Sequence, residues 1–451
     1  MNIKNTVLTA SLISVAVFST GEAAPAPQLI EDMQVSGSTI KVKINKDFKK
    51  KYLKGNFFVE YDKDINLEKF DYSILSMPFL MNVITIVWIS GLTYSVQEMD
   101  KELFHSLERV KKVFEYMYPS TSWKGSVKPL KLVDHSTGLY APKEDKGCRT
   151  AILYSGGLDS FSTALNHKDK RLLFITAWGH WDLPLSQKEL WNKRKSKIKQ
   201  FAHSVGGKLS TVRSNYTSFL RWEYLSKLTP EIKKWRLGAV EGLGWAGITA
   251  PILLSKGFPS LHIASSHSWL YTYPAAANPY VDNNLKFAGK RVIHDQFDKT
   301  RVQKIEGIVK ACSSKEKCPF LKVCSTEKQE DKNCGACRKC VTTAIGFYAC
   351  DADPSKFGIA PTGKAAVSKA LELLKPNKQN MYTLLYFKEV QHRIKNDRSL
   401  SSATKKLLKP LLSVDLSSKS PWDIKSQVCL DWKSMQHLLP ELPIPSELTK
   451  Y

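Results

Sequence analysis

Acidic residues are scarce in this chain of 451 residues: 42 Asp and Glu face 67 Lys and Arg, a formal charge of +25. A surplus of that size favours anionic partners such as nucleotide phosphates, RNA or acidic protein surfaces, and says nothing about fold. Cysteine is also too sparse for a disulfide scaffold, with nine residues over the whole length. Six of them lie between Cys312 and Cys340, a clustering that points to metal instead. No internal repeat is present, which argues against a repeat array. Hydrophobic content of 43% is ordinary and excludes disorder over the whole length.

Long apolar runs are few. One, VLTASLISVAVF at residues 7–18, follows Lys4 and precedes GEAAPAP, the pattern of a secretory signal with cleavage after Ala23. Pro25 and Pro27 obstruct the neighbouring cleavage sites, and a buried strand or helix, or an upstream extension, is the favoured reading of residues 1–26. The other run, residues 77–94, has the length of a membrane span. It contains Asn82, Ser90 and Gly91 and lacks flanking basic anchors, so a buried helix followed by a strand is expected.

Residues 28–141 read as one N-terminal α+β unit. KVKINKDFKKKYL (41–53) pairs β-type alternation with a basic run, and residues 98–118 place Leu103, Leu107, Val110, Val113, Phe114 and Met117 at helical spacing. Residues 125–146 are polar and turn-rich and read as a linker. From 148 to 350, strands expected at 150–154, 171–178, 208–213 and 260–265 alternate with helices after residue 160, at 187–205 and within 238–256. Repeated βα units predict an α/β fold with a parallel twisted sheet covered by helices on both faces. Residues 351–451 read as a helical C-terminal extension.

Within RTAILYSGGLDSFSTAL (149–165) a buried strand meets a glycine-rich turn and a helix start. Gly156 and Gly157 permit positive φ and close approach of the main chain to an anion, at the positive end of the helix. Ser155 and Ser160 add hydroxyl donors, and Asp159 is expected to cap the helix and help hold Mg²⁺. The segment fits neither GxxxxGK[ST] nor GxGxxG, so it is neither a Walker loop nor a dinucleotide fingerprint. Ser155, Gly156, Gly157, Leu158, Asp159 and Ser160 are the candidate phosphate-binding residues, with Asp159 and Ser160 nearest the chemistry.

Further on, Cys324, nine residues, then Cys334-x2-Cys337-x2-Cys340 gives four thiolates in one short loop. Tetrahedral Zn²⁺ suits that set, with Gly335 easing the tight chelate and Arg338 and Lys339 offsetting its charge. An iron–sulfur cluster and unliganded or redox thiols are the other readings. Cys312 and Cys318 are spare.

SGGLDS resembles the SGGxDS signature of PP-loop ATP pyrophosphatases. Followed about 170 residues later by CGACRKC, it is similar to the 7-cyano-7-deazaguanine synthase family, over roughly residues 148–350. The resemblance implies a Rossmann-like domain in which residues 155–160 bind ATP pyrophosphate and Mg²⁺, while Cys324, Cys334, Cys337 and Cys340 hold Zn²⁺. It implies ATP activation of the carboxylate of 7-carboxy-7-deazaguanine, then conversion by ammonia through an amide to a nitrile. HDQFDKTRVQKIEGI looks like the family's basic helix, and Arg301 and Lys304 there would face phosphate or a carboxylate. The substrate loop departs from the family: ASSHSWLYTYPAAANPYVDNN offers His267, Tyr271, Tyr273, Asn278 and Asp282, either to stack and pair with a purine-like ring or as a surface loop packing its aromatics. His180 and Asp182 stand at a strand's carboxyl end, where such sheets place ligand residues, although a lone loop histidine is more often structural. The added N-terminal unit and helical tail look more like the long synthase-like proteins of anti-phage defence systems, where a protein is the acceptor.

Two other functions stay open: tRNA modification, favoured by +25 but lacking an RNA-binding motif, and a non-enzymatic nucleotide-sensing scaffold. ATP use and thiolate ligands together lead to the expectation of a cytoplasmic protein without stable membrane insertion.

Overall fold

Alternation of Ile40, Val42 and Ile44 with Lys41 and Lys43 gives β2 (Thr39–Ile44) one buried face, and antiparallel β1 (Ile30–Ser36) and β3 (Phe57–Tyr61) flank it. The computed structural model to which they belong describes residues 25–135, 149–268, 274–313, 319–324, 332–375 and 381–416. Most of the signal-like segment, Cys148, Tyr271, Tyr273, Cys318, Cys429 and the end of the C-terminal extension lie outside the described residues.

After β2 the basic run does not continue as strand. Asn45 accepts from the Asp47 and Phe48 amides and starts helix α1 (Lys46–Tyr52). α2 (Tyr72–Leu75) leads into α3 (Met77–Ser90), which is buried almost all round, so the membrane-length run is a core helix. Gly91, at φ 74°, ends it before β4 (Thr93–Asp100). α4 (Lys101–Met117) starts later than its periodicity suggests, because Asp100 accepts from the Leu103 amide and leaves Glu98 in β4. The linker reading of 125–146 is corrected: Ser126–Val133 is β5, parallel to β4 in a two-stranded sheet.

The expected alternation then follows as β6 (Arg149–Leu153), α5 (Leu158–Asn166), β7 (Arg171–Trp178), α6 (Lys188–Ser204), β8 (Lys208–Ser214), α7 (Trp222–Leu228), α8 (Glu241–Lys256) and β9 (Ser260–Ala264). α9 (Pro279–Asp282), β10 (Lys286–Phe287) and β11 (Lys290–Asp295) come next. α10 (Arg301–Cys312), α11 (Arg338–Tyr348), α12 (Gly363–Leu373), α13 (Met381–Asn396) and α14 (Ser402–Leu408) complete the described chain.

Among the described residues one nine-stranded sheet runs β1-β2-β3-β8-β7-β6-β9-β11-β10, with helices on both sides. Only β8-β7, β7-β6, β6-β9 and β9-β11 pair in parallel. A sheet parallel throughout is therefore corrected to a mixed one. Two-residue turns join β1 to β2 and β10 to β11, and such turns permit only antiparallel pairing. The segment expected as an N-terminal unit supplies β1–β3 to this same sheet, and its α3 packs on α8, so position 141 does not divide two cores.

GLGWAG at 242–247 has the GxGxxG form but lies inside α8, away from any strand-to-helix turn. Its glycines serve packing: a Cβ at Gly247 would stand 2.8 Å from the Met81 Cβ on α3. The helical span Arg236–Lys256 is long and apolar enough to cross a membrane, yet most of it is buried inside the protein. A second core joins α5, α10, α11, α12 and α13.

Candidate functional site

β6 has β7 on one side and β9 on the other, so the parallel part of the sheet grows in both directions from it. Ligands of such sheets bind outside the strands' carboxyl ends at this reversal point, and residues 155–160 leave β6 there. Gly156 has φ 77° and its carbonyl accepts from the Lys322 amide at 3.0 Å. Ser160 Oγ donates to the Gly157 carbonyl at 3.1 Å and lies 3.3 Å from Ser155 Oγ, which accepts from the Gly157 amide at 3.3 Å. Leu158 points the other way, into the core.

The expectation that Asp159 caps α5 is corrected. Gly157 is the cap residue, and the Asp159 carboxylate accepts from Arg301 Nη1 at 3.1 Å, with Lys304 Nζ at 4.0 Å. α10 packs against α5 and brings both cations from its first turn. α11 adds Arg338 and Lys339 from its own start. Three helix N-termini, and their positive dipole ends, thus converge on one carboxylate.

Burial opposes ionisation of Asp159, but Arg301 first, then Lys304 and Lys339, outweigh it and hold the carboxyl below the usual carboxylate range. Burial wins at Lys304 despite Asp159, bringing its amine down to about 8. Lys304 Nζ also donates to the Ser265 carbonyl at 2.6 Å. At Arg301 the attraction of Asp159 overcomes burial and raises the guanidinium above its ordinary value. Its buried Nε has no hydrogen-bond partner among the described residues. An unsatisfied donor of that kind costs ~1–3 kcal/mol unless a ligand meets it. Burial, aided by Lys304, His294 and Arg338, pushes the His267 imidazole down to about 3, so it is neutral at neutral pH. Tyr382 on α13 closes this side, its ring 4.9 Å from the Arg338 guanidinium and 6.1 Å from His267. Several cations, one ionised carboxylate and a glycine turn suit an anion with many oxygens.

The four cysteines meet as their spacing suggests. Cys334 Sγ lies 3.9 Å from Cys340 Sγ, Cys337 Sγ 3.5 Å from Cys340 and 3.9 Å from Cys324. Sulfurs around tetrahedral zinc, with ~2.3 Å bonds, stand ~3.8 Å apart. Gly335 takes φ 66°, and the Ala336 and Cys337 amides donate to Cys334 Sγ at 3.4 and 3.3 Å. The cluster could hold a metal such as zinc. Cys312 is buried in the second core on α10 and is not one of the four grouped thiols. Cys337 is also the cap residue of α11, so the cluster sits directly beneath Arg338 and Lys339.

His180 and Asp182 follow β7 on the same end of the sheet. His180 Nδ1 lies 2.6 Å from Asp182 Oδ1, and Arg194 donates to Asp182 Oδ2 at 3.0 Å. Burial disfavours the charge, but His180 and Arg194 together hold the carboxyl well below its usual range. His180 lines a cavity of about 560 Å³ walled by Trp181, Trp222, Trp235 and Arg236. Arg236 sits 4.7 Å over the Trp181 ring and pairs with Glu241.

Two other sequence candidates are engaged elsewhere. Asn278 accepts from the Tyr280 and Val281 amides and donates to the Ala275 carbonyl, capping α9. Asp282 is fully buried, with its Oδ2 2.7 Å from His294 Nδ1. Tyr273 lies outside the described residues. Sequence reading missed Tyr382 and placed Arg338 and Lys339 with the thiolates alone. Nothing in a helical tail more than 220 residues from the loop marks Tyr382 as its neighbour, because only the packing of α13 on α10 and α11 brings it there.

No family model, curated protein or solved structure matches this chain.

Proposed function

We propose that the chain is an ATP-dependent carbon–nitrogen ligase of the PP-loop type, resembling 7-cyano-7-deazaguanine synthase, with a Rossmann-like ATP site at residues 155–160. The observation carrying this reading is the convergence of Arg301, Lys304 and Lys339 on Asp159 beside the glycine turn, where the sheet reverses. In this reading the backbone amides of the turn and the Ser155 and Ser160 hydroxyls bind the pyrophosphate end of ATP. Arg301 and Lys304 neutralise charge that grows on the α–β bridging oxygen as it leaves. Asp159 is the carboxylate fit for Mg²⁺, which takes one or two protein carboxylates alongside substrate phosphates. When bound, Mg²⁺ would add Lewis-acid stabilisation of the pyrophosphate.

A substrate carboxylate would attack the α-phosphorus, releasing pyrophosphate. Ammonia would then displace AMP to give a primary amide, whose oxygen would attack the α-phosphorus of a second ATP and leave as AMP to give the nitrile. An amine in place of ammonia would stop at the substituted amide. The tryptophan-lined cavity beside His180 suits a flat deazapurine-like acceptor, and His180 and Asp182 would orient its edge. The cysteine metal would be structural, holding the start of α11 and with it Arg338 and Lys339.

The test is incubation of the purified chain with ATP, Mg²⁺, an ammonium salt and 7-carboxy-7-deazaguanine. AMP, pyrophosphate and the nitrile are expected, with Asp159→Ala removing turnover by about 10²–10³-fold. AMP formed only when a protein partner is added would replace the free base by a protein acceptor, as in defence-type systems. Binding of ATP without any AMP would leave a nucleotide-sensing scaffold. RNA binding that is weak and insensitive to salt would count against the tRNA-modifying alternative.

A further inference from the structure

We propose that His167, His262 and Asp295 form a second metal site, for one Zn²⁺ or a similar borderline divalent cation, separate from the cysteine cluster. The three residues come from different elements: His167 ends α5, His262 lies within β9, and Asp295 closes β11, which pairs in parallel with β9. Their ligand atoms all lie within 4.8 Å of one another. His167 Nε2 is 2.6 Å and His262 Nδ1 3.1 Å from the same oxygen, Asp295 Oδ2. The two imidazoles meet edge to face, with centroids 4.4 Å apart.

Nitrogen and oxygen ligands at ~2.0–2.1 Å from tetrahedral zinc stand ~3.3 Å from one another. Both observed separations, 2.6 and 3.1 Å, are shorter than that spacing, so the side chains would part by a few tenths of an ångström to admit a cation. Two imidazoles and one carboxylate are also the right donors: borderline cations take neutral nitrogen and anionic oxygen together. His262 has the outer support that metal-bound histidines use, since its Nε2 lies 3.1 Å from Ser260 Oγ and this contact aims Nδ1 at the centre. Asp295 and His262 keep 8% and 9% of their side-chain surface exposed, His167 16%, so the centre is shielded except along the His167 edge. A water reaching the centre along that edge would be the fourth ligand.

The site would fasten the far end of α5, whose first turn carries Asp159, to the two strands beside it. Its single negative charge, and Arg291 nearby on β11, make it the weaker of the two metal sites.

The full chain, stripped of metal with a chelator, should be titrated with Co²⁺. Two equivalents are expected: one with intense thiolate-to-cobalt absorption, the other with weak d–d bands alone. His167→Gln and Asp295→Asn should each lose the second equivalent and keep the first, whose thiolate band reports that the chain is folded. Saturation of the wild type at one equivalent overturns the proposal, as does a second equivalent that both variants retain. Should both variants lose the thiolate band, X-ray absorption of the zinc-loaded wild type decides. Imidazole scattering beside the sulfur shell supports the site, and sulfur alone overturns it.

Discussion

Lys304 carries a charge that its surroundings barely sustain. Its ammonium is present below about pH 8 and lost above it, whereas Arg301 stays charged throughout. A polyphosphate in the site would favour the protonated amine, so binding should draw in a proton as pH rises past 8. Calorimetry in buffers of differing ionisation enthalpy measures that uptake directly. We expect close to no uptake at pH 6.5, a rise towards one proton near pH 9, and no rise in Lys304→Arg. Affinity should fall over the same range in the wild type, because each proton taken up then costs free energy.

Among the elements, α13 is docked through an acid that burial keeps protonated below about pH 7. Glu389 accepts from Thr300 Oγ at 2.5 Å, and burial raises its carboxyl to about 7. For an acid raised above its unfolded value of 4.5, the folded state holds the extra proton between those values, so stability falls as pH rises through that window. Glu389→Gln should flatten this dependence and add up to ~3 kcal/mol at pH 8, read as a higher unfolding midpoint by circular dichroism. α3 and α8 offer a second check. A valine at Gly247 meets Met81 and the Met77 carbonyl, and should cost about 1–3 kcal/mol in urea unfolding.

These elements also mark what was legible in the sequence. Strands β6–β9 were readable because short apolar runs stand between lysine-rich helices and glycine turns. The cysteine cluster was readable because its ligands are close in the chain. β5 was not, since Lys128, Pro129 and Lys131 break its alternation and it pairs mainly through its backbone. The ion pair of Asp159 was not legible either: its partners lie 142 and more residues away, and sequence periodicity carries no information about such contacts.

For the whole molecule, the cysteine cluster and the cations around Asp159 are joined through the start of one helix. α11 starts on Cys337 and carries Arg338 and Lys339 immediately after it. Cys334→Ser should remove the thiolate-bound metal and weaken ATP binding about tenfold, ~1.4 kcal/mol, as those two cations lose their placement. Equilibrium binding at matched ionic strength measures this, and an unchanged affinity would uncouple the two sites. Matching salt matters because a chain of +25 attracts any polyanion at low ionic strength.

The hydrogen bond from the Lys322 amide to the Gly156 carbonyl has a bearing on modularity. Residues 149–166 look like a portable cassette, a strand, turn and helix that could be cut out or grafted. Yet the floor of the turn is laid by a segment that reaches it only two residues before Cys324. A fragment ending at α10 would keep every residue of the motif and lose the surface it rests on. Transplanting this loop therefore means carrying the cysteine cluster with it.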